Sequence, residues 1–160
     1  MMTLMPSTTL HIEAPAERVW ALVADVTRVG EWSPETVGAE WLDGARGPTL
    51  GARFKGRNKR RGSWSTTCTV TAAEPGREFA FYVGKEETRW RYQFVPEGGE
   101  ACTVTESFEI VRRPGAVGRF LTKIGTGVPW SERENDLVHG MEETLRGLKA
   151  AAESTAAADS

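Results

Sequence analysis

The chain has 160 residues, 39% of them hydrophobic, which is the size of one ordinary domain with enough apolar side chains for a core. Its formal net charge is -2 and charges of both signs are scattered, so no overall field favours nucleic acid, a membrane surface or an acidic substrate. Residues 1–6 lack the basic start and apolar run of a signal peptide, and no stretch approaches the roughly 18 apolar residues of a membrane span. We therefore expect a cytoplasmic protein with no membrane span.

Metal, disulfide and nucleotide chemistry are disfavoured by what the sequence lacks. Cys68 and Cys102 are far apart and form no CxxC motif, and His11 and His139 have no ligand-rich surroundings. There is no Walker loop and no GxSxG motif, and the glycines at 125–127 lack the rest of a dinucleotide fingerprint. We expect neither a cofactor nor a bound metal.

The predicted elements begin with a half-buried strand over 8–14, in which Leu10 and Ile12 alternate with polar residues. Pro15 ends this strand and suits the first turn of a short helix, whose apolar residues recur at helical spacing. A second brief turn or helix follows over 28–34. Six further strands are predicted in series, separated by turns that contain Gly or Pro, over 37–42, 52–59, 63–73, 78–83, 88–95 and 101–112.

After residue 115 the apolar period becomes helical and predicts one long C-terminal helix up to Lys149. Gly125, Gly127 and Pro129 predict a kink or break in its first half. The Ala- and Ser-rich end of the chain has little to bury and is expected to fray. We therefore predict a single domain over 1–150 and a frayed or disordered tail over 151–160.

Alternation along the strands predicts that one face of the sheet is apolar and the other polar. The long helix is the obvious cover for the apolar face, and large rings on a strongly curved sheet favour a pocket over tight packing. The predicted inner residues are Phe54, Gly56, Asn58, Trp64, Thr66, Cys68, Val70, Phe79, Phe81, Val83, Trp90, Tyr92, Phe94, Cys102, Val104, Glu106, Phe108 and Ile110.

With this order of elements, several segments resemble the polyketide cyclase/dehydrase and START-like family, often called SRPBCC, over nearly the whole chain. The segments are TLHIEAPAERVW at 9–20, EWSP at 31–34, GARF at 51–54, WRY at 90–92, TESF at 105–108 and MEETL at 141–145. The resemblance implies an α+β helix-grip fold: a seven-stranded curved antiparallel sheet with two short helices and a long C-terminal helix enclosing a hydrophobic cavity. Members of this family include lipid carriers, aromatase/cyclases, hormone receptors and chaperone regulators, so the fold does not choose among them.

Glu106 is the one carboxylate predicted on the inner face of its strand. A buried carboxylate needs an explanation, because burial without a partner is costly. Burial would raise its pKa and suit it to act as a general acid or base, with Tyr92 as a second proton-handling group, or to accept a ligand hydroxyl. A structural carboxylate satisfied by Asn58, Tyr92, an indole or Arg133 is the simpler alternative, as is a bulge that turns it outward.

The sequence holds six tryptophans, and flat rings with polar N–H groups suit a planar or ring-containing ligand. Any single ring is most simply a core residue. The predicted ligand-binding residues are Trp32, Trp41, Phe54, Asn58, Trp64, Thr66, Phe81, Trp90, Tyr92, Glu106, Phe108 and Ile124.

Two charged segments have alternative interpretations. Arg133 or Asn135 could place a polar group over the pocket, or the segment could be a solvated turn capped by Ser131. The basic hairpin, which we define as Arg57, Lys59, Arg60 and Arg61, is most simply a solvated turn, although it could dock an acidic carrier protein. Nucleic acid fits it poorly, because the hairpin is small and no recognition motif is present.

The sequence therefore predicts a protein that binds a small hydrophobic, lipid-like or polyketide-like molecule. One alternative is a cyclase/dehydratase that uses Glu106 and Tyr92, and another is a regulator that binds a protein partner.

Overall fold

The structure is a computed structural model that describes the backbone of residues 5–158 and the side chains of residues 5–154. The ends of the predicted domain and tail, residues 1–4 and 159–160, lie outside the described residues.

The fold is built on one seven-stranded antiparallel sheet with the strand order β1-β7-β6-β5-β4-β3-β2. The sequence prediction of seven antiparallel strands is therefore confirmed. The strands are β1 (Ser7–Ile12), β2 (Thr36–Trp41), β3 (Arg53–Lys59), β4 (Ser63–Glu74), β5 (Glu78–Val83), β6 (Thr88–Glu97) and β7 (Ala101–Ile110). From β2 to β7, each strand pairs in the sheet with the strand that follows it in the chain. Strand β1 instead pairs with β7, for example Thr8 opposite Glu106.

Short helices connect β1 to β2. Pro15 precedes helix α1 (Ala16–Ala24), which buries Val19, Leu22 and Val23. A 3₁₀ helix (Val26–Glu31) follows, where the Asp25 side chain accepts a hydrogen bond from the Thr27 backbone N–H at 3.2 Å and caps the turn. The two short helices predicted in this region are present.

The predicted long helix is two helices, α2 (Ala116–Thr126) and α3 (Trp130–Ala158). Gly127 has a left-handed φ of 79° and its N–H donates to the carbonyl of Lys123 at 2.9 Å, which ends α2. Pro129 lies directly before α3, so of the predicted kink or break the structure shows a break. The helix at the C-terminal end is also longer than predicted, because α3 continues to Ala158 and buries Ala152 completely.

The core lies where α3 and α1 cover the sheet near β1 and β7. Met141, Leu145, Leu148 and Ala152 share one face of α3 and are buried, and the last three belong to the core cluster that includes residues of the sheet and α1. The opposite face of the sheet is mostly polar, as predicted, although Ser107 on that face is only 6% exposed rather than solvated. No described helix is both long and apolar enough to cross a membrane.

Candidate functional site

A pocket of about 690 Å³ lies between the inner face of the sheet and the helices that cover it. Strands β2 to β7 form its floor, and the 3₁₀ helix, α2 and α3 form its other walls. Its lining residues differ in exposure: Glu106 is only 3% exposed, whereas Ile124 of α2 is 53% exposed. The pocket lining therefore includes both a buried polar group and an exposed apolar one.

All but two of the predicted ligand-binding residues line this pocket. They are Trp32, Phe54, Asn58, Trp64, Thr66, Phe81, Trp90, Tyr92, Glu106 and Ile124. Trp41 does not line it, and its ring packs edge-on against Phe54 at a centroid distance of 5.6 Å. Phe108 does not line it either and packs behind Trp90 at 5.1 Å. These two residues support the walls, and ligand binding by the other ten stays a prediction.

Glu106 and Tyr92 form a buried pair on neighbouring strands. They stand directly opposite each other in the register of β7 and β6, so both side chains point to the inner face. The Tyr92 hydroxyl donates a hydrogen bond to Oε1 of Glu106 at 2.8 Å. The other carboxyl oxygen, Oε2, is buried and has no hydrogen-bond partner among the described residues. The pocket therefore contains one polar atom whose bonding capacity is unused.

Burial changes the acid–base chemistry of both groups. It raises the pKa of Glu106 from an ordinary value of 4.5 to about 8, although the hydrogen bond from Tyr92 acts in the opposite direction. Burial and the neighbouring carboxyl raise the pKa of Tyr92 well above its ordinary value. A pKa of about 8 favours the protonated form of Glu106 at pH 7, and since Oε1 accepts from Tyr92, Oε2 is the oxygen left to carry the proton.

A second polar group lies on the floor of the pocket and uses only neutral side chains. The Thr36 hydroxyl donates to Oδ1 of Asn58 at 2.8 Å, and the Asn58 amide donates to the Thr66 hydroxyl at 3.4 Å. Asn58 is thus satisfied by its neighbours and does not contact Glu106 through a hydrogen bond. Cys68 lies beside Thr66, and burial raises its pKa to about 12, which keeps it an unreactive thiol.

Four charged residues form an ion network along the pocket wall. Arg133 of α3 binds Glu35 through two hydrogen bonds, at 2.8 and 2.9 Å. Arg60 contacts Asp136 at 3.0 Å and Glu35 at 3.3 Å. Burial alone would raise the pKa of Asp136, but hydrogen bonds from Arg60 and Arg133 outweigh it and lower that pKa. The network joins α3, the β3–β4 hairpin and the segment before β2 without net charge.

The structure distinguishes between the alternative interpretations of the two charged segments. Arg133 does line the pocket, as one of the sequence interpretations had it, whereas Asn135 is exposed and does not. Within the basic hairpin, the Arg60 guanidinium is held by Glu35 and Asp136, while Arg57, Lys59 and Arg61 are exposed. Arg60 is thus not a free docking cation, and carrier-protein binding by the other three stays a prediction.

A family model described as polyketide cyclase/dehydrase and lipid transport matches residues 6–153. The chain belongs to this family. No curated protein shows significant similarity to it. A Polyketide_cyc-like protein, Cgl2372, from Corynebacterium glutamicum has a solution structure with 30% identity and a TM-score of 0.51, and the match covers 98% of this chain and 90% of that one.

Solved structures with lower sequence identity share the fold. A START superfamily protein from Mycobacterium smegmatis superposes with a TM-score of 0.72 at 16% identity over 94% of this chain and 98% of that one. The di-domain aromatase/cyclase BexL from the BE-7585A biosynthetic pathway has a TM-score of 0.64 at 18% identity. That match covers 94% of this chain and 47% of BexL. Family and fold therefore fit ligand-binding proteins of the polyketide cyclase type with a START-like helix grip.

Several residues that line the pocket were not predicted from the sequence. Glu35 and Asp136 of the ion network line the pocket, as do Leu121 and Thr122 of α2. The spacing of Arg133 and Asp136 on one helix could have placed them on one face. Nothing local pairs either residue with Glu35, which is far away in the chain. Among the described residues, no cluster of three or more His, Cys, Asp or Glu side chains is arranged to hold a metal ion.

Proposed function

We propose that the pocket binds a small, hydrophobic, ring-containing molecule. Four of the six tryptophans line it, namely Trp32, Trp64, Trp90 and Trp130. Indole rings provide large flat apolar surfaces at a low entropic cost, which favours a planar ligand over a flexible one. The volume of about 690 Å³ lies within the usual range for pockets that hold small molecules.

The observation that carries this proposal is the unpartnered Oε2 of Glu106 at the buried end of an otherwise largely apolar pocket. Since burial keeps this carboxyl largely protonated at pH 7, it offers a hydrogen-bond donor that a ligand carbonyl or hydroxyl can satisfy. The ligand class we propose therefore has an apolar ring system and one oxygen acceptor.

Native mass spectrometry after gentle purification tests the proposal. We expect a non-covalent adduct that is lost on organic extraction, and an extract that contains a ring-bearing compound with at least one carbonyl or hydroxyl oxygen. A chain that carries no adduct and takes up none from a panel of cyclic ketones would contradict the proposal.

A second candidate function is polyketide cyclisation or dehydration, and the protonation state of Glu106 favours it. A carboxyl with a pKa of about 8 can donate a proton to a developing enolate or alkoxide oxygen near neutral pH and recover it afterwards. Tyr92 lines the pocket and its hydroxyl donates to Glu106, so in this mechanism it positions the acid. The aromatic walls would hold the reacting carbon atoms close together.

Turnover of a poly-β-ketone analogue tests the second candidate. We expect Glu106→Gln to lower kcat by at least about 100-fold, because general acid catalysis contributes that much, while Glu109→Gln keeps the wild-type rate. Glu109 is the matched control, since it lies on the same strand but not in the pocket. Equal rates for the two variants would contradict catalysis by Glu106 and leave the binding proposal standing.

A further inference from the structure

Helix α2 presents its large apolar side chains to solvent and its small ones to the protein. Gly118, Thr122, Gly125 and Thr126 are half-buried or buried. On the other side, Val117, Phe120, Leu121 and Ile124 are 74%, 63%, 59% and 53% exposed. These four residues, which we call the outer face of α2, follow the spacing of one helical face. A helix on the surface of a soluble domain normally turns its large apolar side chains toward the core, so α2 has the reverse arrangement.

The contacts on the inner side of α2 are made by its small residues and not by the four apolar residues of the outer face. The N–H of Gly62 donates to the carbonyl of Gly125 at 2.7 Å, and a Cβ on Gly62 would meet the Gly125 Cα at 3.3 Å. The hydroxyls of Thr122 and Thr126 bond to carbonyls of their own helix at 2.9 and 2.7 Å. Glycine thus permits close packing, and the outer face contributes little to holding α2 in place.

The charged residues of α2 and of the segment just before it are all basic. Arg112, Arg113, Arg119 and Lys123 lie in or just before α2, and the sequence has no acidic residue between Glu109 and Glu132. Within residues 5–154, none of these four cations forms an ion pair, although Arg119 donates to the carbonyl of Pro114 at 3.2 Å. An apolar stripe with cations beside it is the pattern of helices that lie in a membrane interface.

We propose that α2 docks the protein on an anionic lipid bilayer, with the outer face in the acyl region and the four cations at the headgroups. A bilayer satisfies both parts of the pattern, because apolar burial and attraction to anionic lipid act together. A second copy of the chain would cover the apolar stripe but would bring two sets of four cations together, which is unfavourable.

The outer face of α2 shares two residues with the lining of the pocket. Leu121 and Ile124 belong to the outer face and also line the pocket. A bilayer against α2 would therefore lie beside the part of the pocket that Leu121 and Ile124 line. The docking does not rest on the proposed function, since it requires only the exposed side of α2.

Flotation with vesicles made of equal parts phosphatidylglycerol and phosphatidylcholine tests the proposal. The wild-type chain is expected to float with these vesicles, to bind vesicles of pure phosphatidylcholine at least about tenfold more weakly, and to be released in about 0.5 M salt. Val117→Ser/Phe120→Ser is expected to weaken binding at least about tenfold, since it removes apolar surface that the bilayer would bury. Neither residue lines the pocket. Arg113→Gln/Lys123→Gln is expected to weaken it to a similar extent.

Matched controls separate docking from a general loss of folding. Val37→Ser/Leu50→Ser removes two side chains that are 55% and 76% exposed elsewhere, and Lys55→Gln/Lys85→Gln removes two exposed cations. Both controls should bind like the wild type, and all variants should keep their circular dichroism spectra and Tm. The proposal is overturned if the wild-type chain does not float, if either control loses as much binding as its α2 counterpart, or if the chain is a dimer that only Val117→Ser/Phe120→Ser dissociates.

Discussion

Glu106 is a costly residue for the inner face of this sheet. Val104 and Phe108, its neighbours on the same side of β7, are fully buried apolar residues. A charged carboxylate there would lose its hydration, and only the Tyr92 hydroxyl compensates. The protein therefore keeps Glu106 as a neutral acid over most of the physiological range, which has consequences for stability as well as for ligand binding.

The stability of the folded chain should depend on the proton of Glu106. The carboxyl has a pKa of about 8 in the folded chain against an ordinary 4.5, so the folded state binds more protons between these pH values. The free energy of unfolding should then fall as pH rises through this window, by roughly 4 kcal/mol from this group between pH 5 and pH 8.5. Glu106→Gln should remove that dependence, and urea unfolding at pH 5 and pH 8.5 measures it.

The matched control for this prediction is Glu109→Gln. Its unfolding free energy should retain the wild-type fall with pH, because Glu109 lies outside the pocket. Parallel pH profiles for the wild type and Glu106→Gln would show that Glu106 ionises normally in the folded chain, contrary to its buried position.

Tyr92→Phe should raise the pKa of Glu106 further. The Tyr92 hydroxyl stabilises the carboxylate by donating to Oε1, so its removal favours the protonated form. The carboxyl carbon resonance of Glu106, followed by NMR during a pH titration, reports this pKa. Tyr82→Phe is the control and should leave it unchanged, whereas a lower pKa in Tyr92→Phe would contradict the hydrogen-bond geometry.

Individual site residues could be predicted from the sequence as far as strand alternation allows. Alternation placed Glu106 and Tyr92 on the inner face, because each strand has a period of two. It could not tell Trp41 and Phe108 from the residues that line the pocket. They share the inner face but lie behind Phe54 and Trp90, and that depth depends on ring packing between strands.

The elements around the pocket are joined by the ion network of Glu35, Arg60, Arg133 and Asp136. Arg133→Gln should destabilise the chain by about 3 kcal/mol, because it leaves two carboxylates in a largely buried site with only Arg60. Arg53→Gln breaks the exposed contact with Asp43 and should cost less than about 1 kcal/mol. Urea unfolding compares the two, and equal losses would show that the network behaves like a surface ion pair.

Helix α3 approaches the 3₁₀ helix closely at Gly147. A Cβ on Gly147 would lie 2.8 Å from Cβ of Trp32, an atom too near the backbone to swing away. Gly147→Ala should therefore lower the free energy of unfolding by about 1 kcal/mol or more, despite the better helix propensity of alanine. Gly140→Ala is the control within the same helix. Its Cβ would meet Pro34 at an ordinary 3.8 Å, so it should raise Tm. A Gly147→Ala variant as stable as Gly140→Ala would contradict this packing.

At the level of elements, nearby residues in the sequence predicted where a helix is interrupted, but the sequence held no sign of contacts between distant segments. Gly125, Gly127 and Pro129 predicted an interruption in the C-terminal helix, because glycine and proline disfavour helix interiors. They could not show that the interruption separates α2 and α3. The bond that ties α2 to the β3–β4 hairpin, from Gly62 to Gly125, joins residues far apart in the chain.

For the whole molecule, alternation and turn residues predicted seven strands and a C-terminal helix that covers them, and the family resemblance added that the sheet is antiparallel. The volume and opening of the pocket were not predictable in this way. They depend on how strongly the sheet curves and on the distance at which α2 and α3 cross it, which long-range contacts decide. The family resemblance narrowed the fold but not the ligand, since one fold carries many functions.

The central claim is that a ring-containing molecule binds between the sheet and helices α2 and α3, and the six tryptophans provide internal probes of it. Indole N–H resonances can be followed by NMR while α-tetralone, a two-ring ketone, is added. We predict shifts for the pocket-lining Trp32, Trp64, Trp90 and Trp130. Trp20 bonds to the Glu78 carbonyl and Trp41 packs behind Phe54, so their signals should stay in place. Saturable shifts confined to the first four would support the claim, and no shifts, or equal shifts at Trp20 and Trp41, would contradict it.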